Sequence, residues 1–431
     1  MYLIYNTLLW LALPFVVLYH LYRSVSRGRP AALPERFGFI CPELRKSLAG
    51  SPPIWVHAVS VGETIAVKPL LKALKERYPD RRLVISTMTE TGRSVASQIP
   101  EVDCCIRFPF DYRFSVRRLL SLVDPELIII VETEIWPNFL RRARLSGIPT
   151  LIANGRISDR SFGRYLRLRR FFQAILGDVT AFCMQSEADA QRVVAMGADP
   201  ARVAVARNLK FDIPVTEVSP GDRSDIRERY RLPQTGTIIT AGSTHPGEEE
   251  QVIAAFTEFI GAGMEAVLIL VPRHPERAGE AAALLRQAGL PFVLRSNVET
   301  QAVDLGTGEV LLVDTIGELM RFYSVSDLVF VGGSLVPVGG HNVLEPASLG
   351  VPVIFGPHMS NFREIAGLSI DYGAAHQVSD GASLGTVMQE LLADEPVRRA
   401  MGENGRRLVR EQGGATDRHL TAIEKLVRSA V

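Results

Sequence analysis

The feature that most constrains the fold is an alternation that occurs twice. Short apolar runs are separated by stretches of helical spacing, first from Ile54 to about Phe211 and again from Thr237 onward. The first series holds Ile54–Val59, Arg82–Thr87, Leu127–Val131, Thr150–Asn154 and Thr180–Met184; the second holds Thr237–Ala241, Ala266–Val271, Pro291–Leu294, Val310–Val313, Asp327–Val331 and Val351–Phe355. Runs apolar on both faces belong to strands covered on both sides by crossover helices, which means parallel sheets. The expected fold is α/β, with two doubly wound Rossmann-like domains facing a cleft. A chain of 431 residues can bury two such cores. The expected boundaries are an N-terminal anchor at 1–22, a first domain at 30–212 and a linker at 213–236, where Pro, Gly, Asp and Arg dominate. A second domain at 237–410 follows, and a C-terminal helix at 411–431 is expected to return to the first. No short-period repeat and no low-complexity tract is present.

Met1 to about Tyr22 differs in kind from the rest, being nearly free of charge with Leu8, Leu9, Trp10, Leu11, Leu13, Phe15 and Val16 in its middle. About 20 apolar residues cross a bilayer, so the length just suffices. Arg23, Arg27, Arg29 and Arg36 follow against the single acid Glu35, which places the body on the cytoplasmic side of the membrane. A cleaved signal peptide fits less well, because the basic charge follows the apolar run and no Ala-x-Ala site ends it. Asn6, Pro14 and His20 weaken the span, so a helix lying in the interface is the alternative. Between Arg141 and Arg170 nine arginines face one acid, Asp159. There Arg164, Arg167, Arg169 and Arg170 alternate with Tyr165, Leu166, Leu168, Phe171 and Phe172 at helical spacing. The plain reading is a solvated face; next to an anchor, anionic lipid is a better partner than nucleic acid.

Bulk charge, formally +1, names no partner. The four cysteines show no Cys-x-x-Cys or Cys/His spacing, which argues against zinc and against a disulfide framework. No Asp-x-Asp is present to hold a divalent metal on a nucleotide diphosphate, and metal-independent chemistry is expected. The dinucleotide fingerprint Gly-x-Gly-x-x-Gly is missing after both first strands, which lowers the case for a dehydrogenase.

Polar clusters stand where parallel sheets place ligands, at carboxyl ends of strands. Gly339-Gly340-His341-Asn342-Val343-Leu344-Glu345-Pro346 lies between two apolar runs. Its glycines permit close backbone approach, a helix N-terminus at about His341 to Val343 would favour a phosphate, and Glu345 could accept ribose hydroxyls. This is a nucleotide-sugar pattern; a crossover whose glycines only serve turns is the bland alternative. Ser60-Val-Gly-Glu63 follows the first strand and is equally a candidate base and a capping box. If Glu63 is a base, burial or desolvation must raise the pKa that a helix N-terminus lowers. Ser86 and Thr87 end the second strand in a hydroxyl-rich loop suited to sugar oxygens or to an N-cap. Glu132-Thr-Glu134-Ile-Trp136 ends another strand with acids and an aromatic that could meet a sugar, or forms a buried turn. In the second half, Ser243, Thr244 and His245 open a helix, and Arg273 could pair with a phosphate or carboxylate. Lys210 sits near the expected domain boundary.

With these residues in place, the chain resembles the Kdo (3-deoxy-D-manno-octulosonic acid) transferases of lipopolysaccharide biosynthesis, enzymes of the two-domain GT-B type. The resemblance rests on Pro34–Gly38, His57–Glu63, Glu132–Pro137, Asn208–Lys210, Gly242–His245, Pro272–His274 and Gly339–Pro346. It implies that Glu63 is the catalytic base and that the second domain binds CMP-Kdo. Donor contacts are then expected at Lys210, Ser243, Thr244, His245, Arg273, Ile316, Gly317, Gly340, His341, Asn342 and Glu345. Ser60, Ser86, Thr87 and Glu132 are assigned to the acceptor, with Arg164, Arg167, Arg169 and Arg170 for acceptor or membrane. The acceptor implied is an anionic lipid A precursor, the setting the cytoplasmic face of the inner membrane, and no cofactor or metal is expected. The rivals are a UDP-sugar enzyme of the same fold, including an epimerase, and a membrane-anchored binding protein without turnover. The number of Kdo units added has no readable motif.

Overall fold

The computed structural model describes residues 1–27, 32–48, 50–301 and 304–428. Arg29, the expected domain start at residue 30 and residues 429–431 lie outside them. The chain divides into two compact units, Met1–Asp212 with Gly413–Val431, and Ile213–Gln412.

The first unit is built on seven parallel strands: β1 (Ile54–His57), β2 (Leu83–Thr87), β3 (Cys104–Arg107), β4 (Leu127–Val131), β5 (Thr150–Gly155), β6 (Ala181–Met184) and β7 (Val203–Val205). Their spatial order is β3-β2-β1-β4-β5-β6-β7, so the winding direction reverses between β1 and β4. The central strands are buried along their whole length, and this is why Leu127–Val131 reads as five successive apolar residues. The final helix, Ala415–Arg428, packs in this unit: the buried His419 accepts the Asn154 N–H at 2.9 Å through Nε2 and donates from Nδ1 to Ala415 O at 2.7 Å. Burial pulls the His419 pKa down to about 4, consistent with a neutral ring in that bridging role.

The second unit holds β8 (Thr237–Thr244), β9 (Ala266–Pro272), β10 (Phe292–Leu294), β11 (Val310–Leu312), β12 (Leu328–Val331), β13 (Val353–Phe355) and β14 (Ala375–Gln377). These too are parallel, in the order β10-β11-β9-β8-β12-β13-β14, with the reversal between β8 and β12. Residues 213–236 are not a free linker, contrary to the expectation. They form the helix Pro220–Arg229 with a Ser219/Asp222 capping box, and Tyr230 and Leu232 are buried in the core of this unit. The polar composition reflects one exposed helix face; the apolar anchors are too few to show in a composition window.

The N-terminal helix runs from Tyr2 to Arg27 and belongs to the first unit. Half-buried positions recur at 2, 5, 6, 9, 12, 13, 16, 17 and 20, a helical spacing that lays one face along the unit. Tyr2 donates to Asp178 at 2.6 Å, Tyr5 to Asp111 at 2.8 Å, and Tyr112 donates to Leu9 O at 2.9 Å. The opposite face, including Leu3, Leu8, Leu11, Phe15 and Leu18, is exposed.

Candidate active site

Chemistry in an open α/β sheet concentrates where the winding reverses, because the loops diverge there and leave a crevice at the carboxyl ends. In the first unit that point lies between β1 and β4. Beyond β1 the chain turns at Ser60 into the helix Val61–Ala66, and the Ser60 hydroxyl caps it by accepting the Glu63 N–H. The Glu63 side chain folds back over this turn. One carboxylate oxygen accepts the Val59 N–H at 2.7 Å and the other accepts the Ser60 hydroxyl at 2.8 Å. The cap and the acid are therefore one construction: Ser60 caps the helix as expected, while Glu63 reaches back to the Val59 N–H and the Ser60 hydroxyl rather than to the Ser60 N–H of a full capping box.

Glu63 is 9% exposed, and burial raises its pKa. The Val59 and Ser60 hydrogen bonds and the Lys210 charge act downward, while Glu132 acts upward. Glu132 follows β4 at a left-handed φ of 59°, with its N–H held by Ala153 O at 2.8 Å. Glu134, two residues on, is pushed up to about 7 by burial and by the charges of Glu63 and Glu132. Lys210 is presented by a short turn in which Asn208 Oδ1 accepts the Lys210 N–H at 3.0 Å. Three carboxyl groups and an ammonium thus interact at one end of one sheet, where burial and mutual repulsion favour the protonated form of the carboxyls.

Lys210, an expected donor contact, is carried by the first unit, where its charge acts on Glu63. Ser86 and Thr87 are not open to an acceptor: Ser86 is fully buried, its hydroxyl accepting from Trp55 Nε1 at 2.8 Å and bonded to His57 Nδ1 at 2.9 Å. Thr87 is buried as well and donates to Thr89 O at 3.2 Å. Both lie on the strand itself, one step short of its loop. Arg164, Arg167, Arg169 and Arg170 are exposed on the helices Asp159–Arg167 and Arg169–Leu176.

In the second unit the reversal point is framed by Ser243–His245 at the end of β8 and Gly332–Gly340 after β12. Ser243 has φ 58°, where the β8–β9 register shifts. A Cβ on Gly332 would stand 2.5 Å from Ser243 O, so only glycine permits that approach. The loop is pinned by Glu248, which sequence reasoning did not single out. This carboxylate is fully buried and accepts the N–H groups of Gly333 at 2.6 Å, Ser334 at 2.9 Å, Leu335 at 2.8 Å and His245 at 3.0 Å.

On the loop so fixed, His245 and His341 lie parallel with their Nε2 atoms 2.9 Å apart, and His274 stands edge-on to His245. Burial lowers the pKa of both paired rings, His341 to about 4, with Arg273 and His274 adding to the effect. Both shifts favour neutral rings, in which one Nε2 donates to the other. Burial also raises the Glu345 carboxyl, against the opposing influence of Asn342 and Arg273. Arg273, the histidines, Asn342 and Glu345 therefore act on one another, and the Ile316–Gly317 turn is exposed, with Ile316 at 85%. Such a set can hold an anion and accept hydroxyl protons. Thr244 is withdrawn from it: its buried hydroxyl donates to Glu249 at 3.0 Å. The helix expected at His341 to Val343 is only Leu344–Ser348, with Asn342 Oδ1 accepting the Leu344 N–H at 3.2 Å. Pro346 lies within it, and five residues build little dipole, so cationic charge here comes from Arg273. Among the described residues no group of three or more His, Cys, Asp or Glu is placed to hold a metal ion.

Comparison with known proteins agrees with this architecture. Residues 31–213 match the family model described as 3-deoxy-D-manno-octulosonic-acid transferase. The 3-deoxy-D-manno-octulosonic acid transferase of Haemophilus influenzae is 33% identical over 97% of this chain and 97% of its own. That of Bordetella pertussis is 33% identical over 91% of both. The UDP-GlcNAc 2-epimerase of Neisseria meningitidis, solved with UDP-GlcNAc, superposes with a TM-score of 0.56 over 87% of this chain and all of its own, at 12% identity, which supports the GT-B type fold and nothing finer. The chain thus belongs to the 3-deoxy-D-manno-octulosonic acid transferase family, glycosyltransferases of lipopolysaccharide biosynthesis.

Proposed function

We propose that this transferase takes Kdo from CMP-Kdo and places it on the 6′-hydroxyl of a tetra-acylated, bis-phosphorylated glucosamine disaccharide, the lipid A precursor, with inversion and without a metal. The observation that carries the reading is Glu63: a buried carboxylate with a raised pKa, held in place by Val59 and Ser60 at the reversal point of its sheet. Its carboxylate removes the proton of the acceptor hydroxyl as that oxygen bonds the anomeric carbon. The bond from the anomeric carbon to the phosphate oxygen breaks, and its electrons leave with CMP. A single displacement inverts the centre. Charge building on the leaving phosphate is met by Arg273, and Glu345 accepts ribose hydroxyls. Lys210 and Glu132 tune Glu63 from either side. The exposed apolar face of Tyr2–Arg27 and the arginines at 164, 167, 169 and 170 hold the enzyme at the cytoplasmic face of the inner membrane, where an anionic glycolipid is presented.

The test is the purified protein in detergent with CMP-Kdo and tetra-acylated lipid A precursor, products read by mass spectrometry, beside Glu63→Gln. A mass increment of one or more Kdo units, lost in the variant while CMP still protects it against heat, is expected. Protection by UDP and no Kdo increment would reject the donor; turnover by the variant would reject the base.

A further inference from the structure

A cationic hollow lies in the first unit, on the helix Arg113–Val123 and the segment before β1. A cavity of about 520 Å³ is lined by Arg45, Arg117 and Arg118 together with Ile40, Phe114 and Leu122, and among the described residues no carboxylate lines it. The Arg118 guanidinium lies over the Phe39 ring at 3.9 Å, which spends its flat face and keeps its N–H edges for an acceptor. Three cations converging on a part-apolar hollow suit a phosphate attached to something apolar.

What adjoins the cavity says where that phosphate comes from. Phe114 is 42% exposed and stacks on Trp10, itself 57% exposed, at 6.0 Å, and on Phe37 at 5.7 Å. Trp10 belongs to the N-terminal helix, whose outer face is a continuous apolar ridge and whose inner face is tied to the unit by Tyr2, Tyr5 and Leu9. A helix bonded along a folded sheet domain cannot cross a bilayer without taking that domain with it. It therefore lies in the interface, its ridge about 5–10 Å into the headgroup and acyl boundary. Exposed Trp and Phe settle at headgroup depth, and the arginine cavity beside them faces lipid phosphates.

We propose that the Arg45/Arg117/Arg118 cavity binds the headgroup phosphate of an anionic phospholipid and docks the enzyme flat on the bilayer, apart from the donor and transfer residues. The proposal rests on the membrane reading above. Each arginine held near an anionic surface strengthens binding about fivefold, so neutralising all three should weaken it about 100-fold.

The experiment is flotation of the full chain with vesicles of phosphatidylcholine, with and without phosphatidylglycerol, and no glycolipid present. The triple variant Arg45→Gln, Arg117→Gln, Arg118→Gln should lose the gain that phosphatidylglycerol confers. It should keep the weak phosphatidylcholine binding of the apolar ridge and its protection by CMP, which shows that it is folded. Phe114→Ser should weaken binding to both vesicles. Wild-type partitioning of the triple variant onto phosphatidylglycerol vesicles would overturn the site while leaving the membrane reading standing. Wild type ignoring both vesicles would overturn that reading and the site with it. If the variant instead raises KM for detergent-solubilised acceptor by the same factor, the cavity serves the acceptor's phosphates and the phospholipid assignment falls.

Discussion

Replacing Glu248 by alanine tests whether the proposed donor site depends on a buried carboxylate whose bonds are spent on the backbone around it. Glu248 accepts four backbone N–H groups at 2.6 to 3.0 Å, three of them from consecutive residues of the Gly333–Leu335 turn, with no solvent exposure. A hydrogen bond to a charged group nets about 1.5–3 kcal/mol, and donors left buried without a partner cost about 1–3 kcal/mol each. These do not add, because water entering the vacated space re-satisfies some of them. Loss of one partner from a buried charge network typically costs about 3–5 kcal/mol, so about 4 kcal/mol is the working figure. In a unit of this size 1 kcal/mol moves Tm by about 2–4 °C, which predicts a fall of about 10 °C in thermal unfolding of the full chain. The turn also positions Gly340, whose N–H donates to Gly333 O at 2.7 Å, and the His245–His341 pair. CMP at a hundredfold its Kd should stabilise the wild type by about 2.7 kcal/mol, and that gain should vanish in the variant. A Glu248→Ala protein melting within about 2 °C of wild type, with CMP protection intact, would refute the argument.

Gly332→Ala should be comparably damaging through sterics alone, since its Cβ would lie 2.5 Å from the Ser243 carbonyl oxygen, a backbone atom that cannot swing away. A cost of about 2 kcal/mol or more is expected, and a melting curve like that of wild type would contradict it. Glu132→Gln removes a negative charge that raises the Glu63 pKa; the Glu63 proton then leaves more easily, so the acid limb of the kcat/KM profile should move to lower pH, and an unmoved limb would sever the coupling. The histidine pair is neutral when free because burial depresses both rings. A phosphate beside it raises those values, so CMP binding should take up protons and tighten as pH falls below the ordinary histidine range. Calorimetry in buffers of different ionisation enthalpy reads the uptake, which His341→Gln should abolish; a buffer-independent enthalpy in wild type would count against it.

The fold was legible wherever burial imposed a pattern on consecutive residues. β4 and β9 announce themselves because every residue is buried, whereas β3, β7 and β14 passed unread. β7 and β14 are three-residue strands with little burial at the edge of their sheets, and Cys104–Arg107 is also an edge strand of mixed composition. The same limit hid the packing of 213–236, where the burial rests on isolated residues such as Tyr230. At the site, sequence locates strand ends but cannot say where a polar side chain spends its hydrogen bonds. Ser86, Thr87 and Thr244 have the composition of a ligand loop, yet their hydroxyls are used internally, because strand residues point into layers that helices cover.

Glu63 and Glu248 make the point most sharply. Each stands just beyond the first strand of its sheet, three residues after a turn residue, Ser60 or His245, and each folds back to accept a backbone N–H of that turn. What separates them is the neighbouring loop. After β4 the chain leaves with Glu132 and Glu134; the Glu132 charge raises the Glu63 pKa, which suits the base role proposed for it. After β12 it leaves as Gly-Gly-Ser-Leu, whose N–H groups turn inward and fill the Glu248 acceptor sites completely. The proposed base and the clamp thus differ in a loop about 70 to 85 residues away in the chain, and for that reason the pattern around Glu63 could be read as chemistry while that around Glu248 could not.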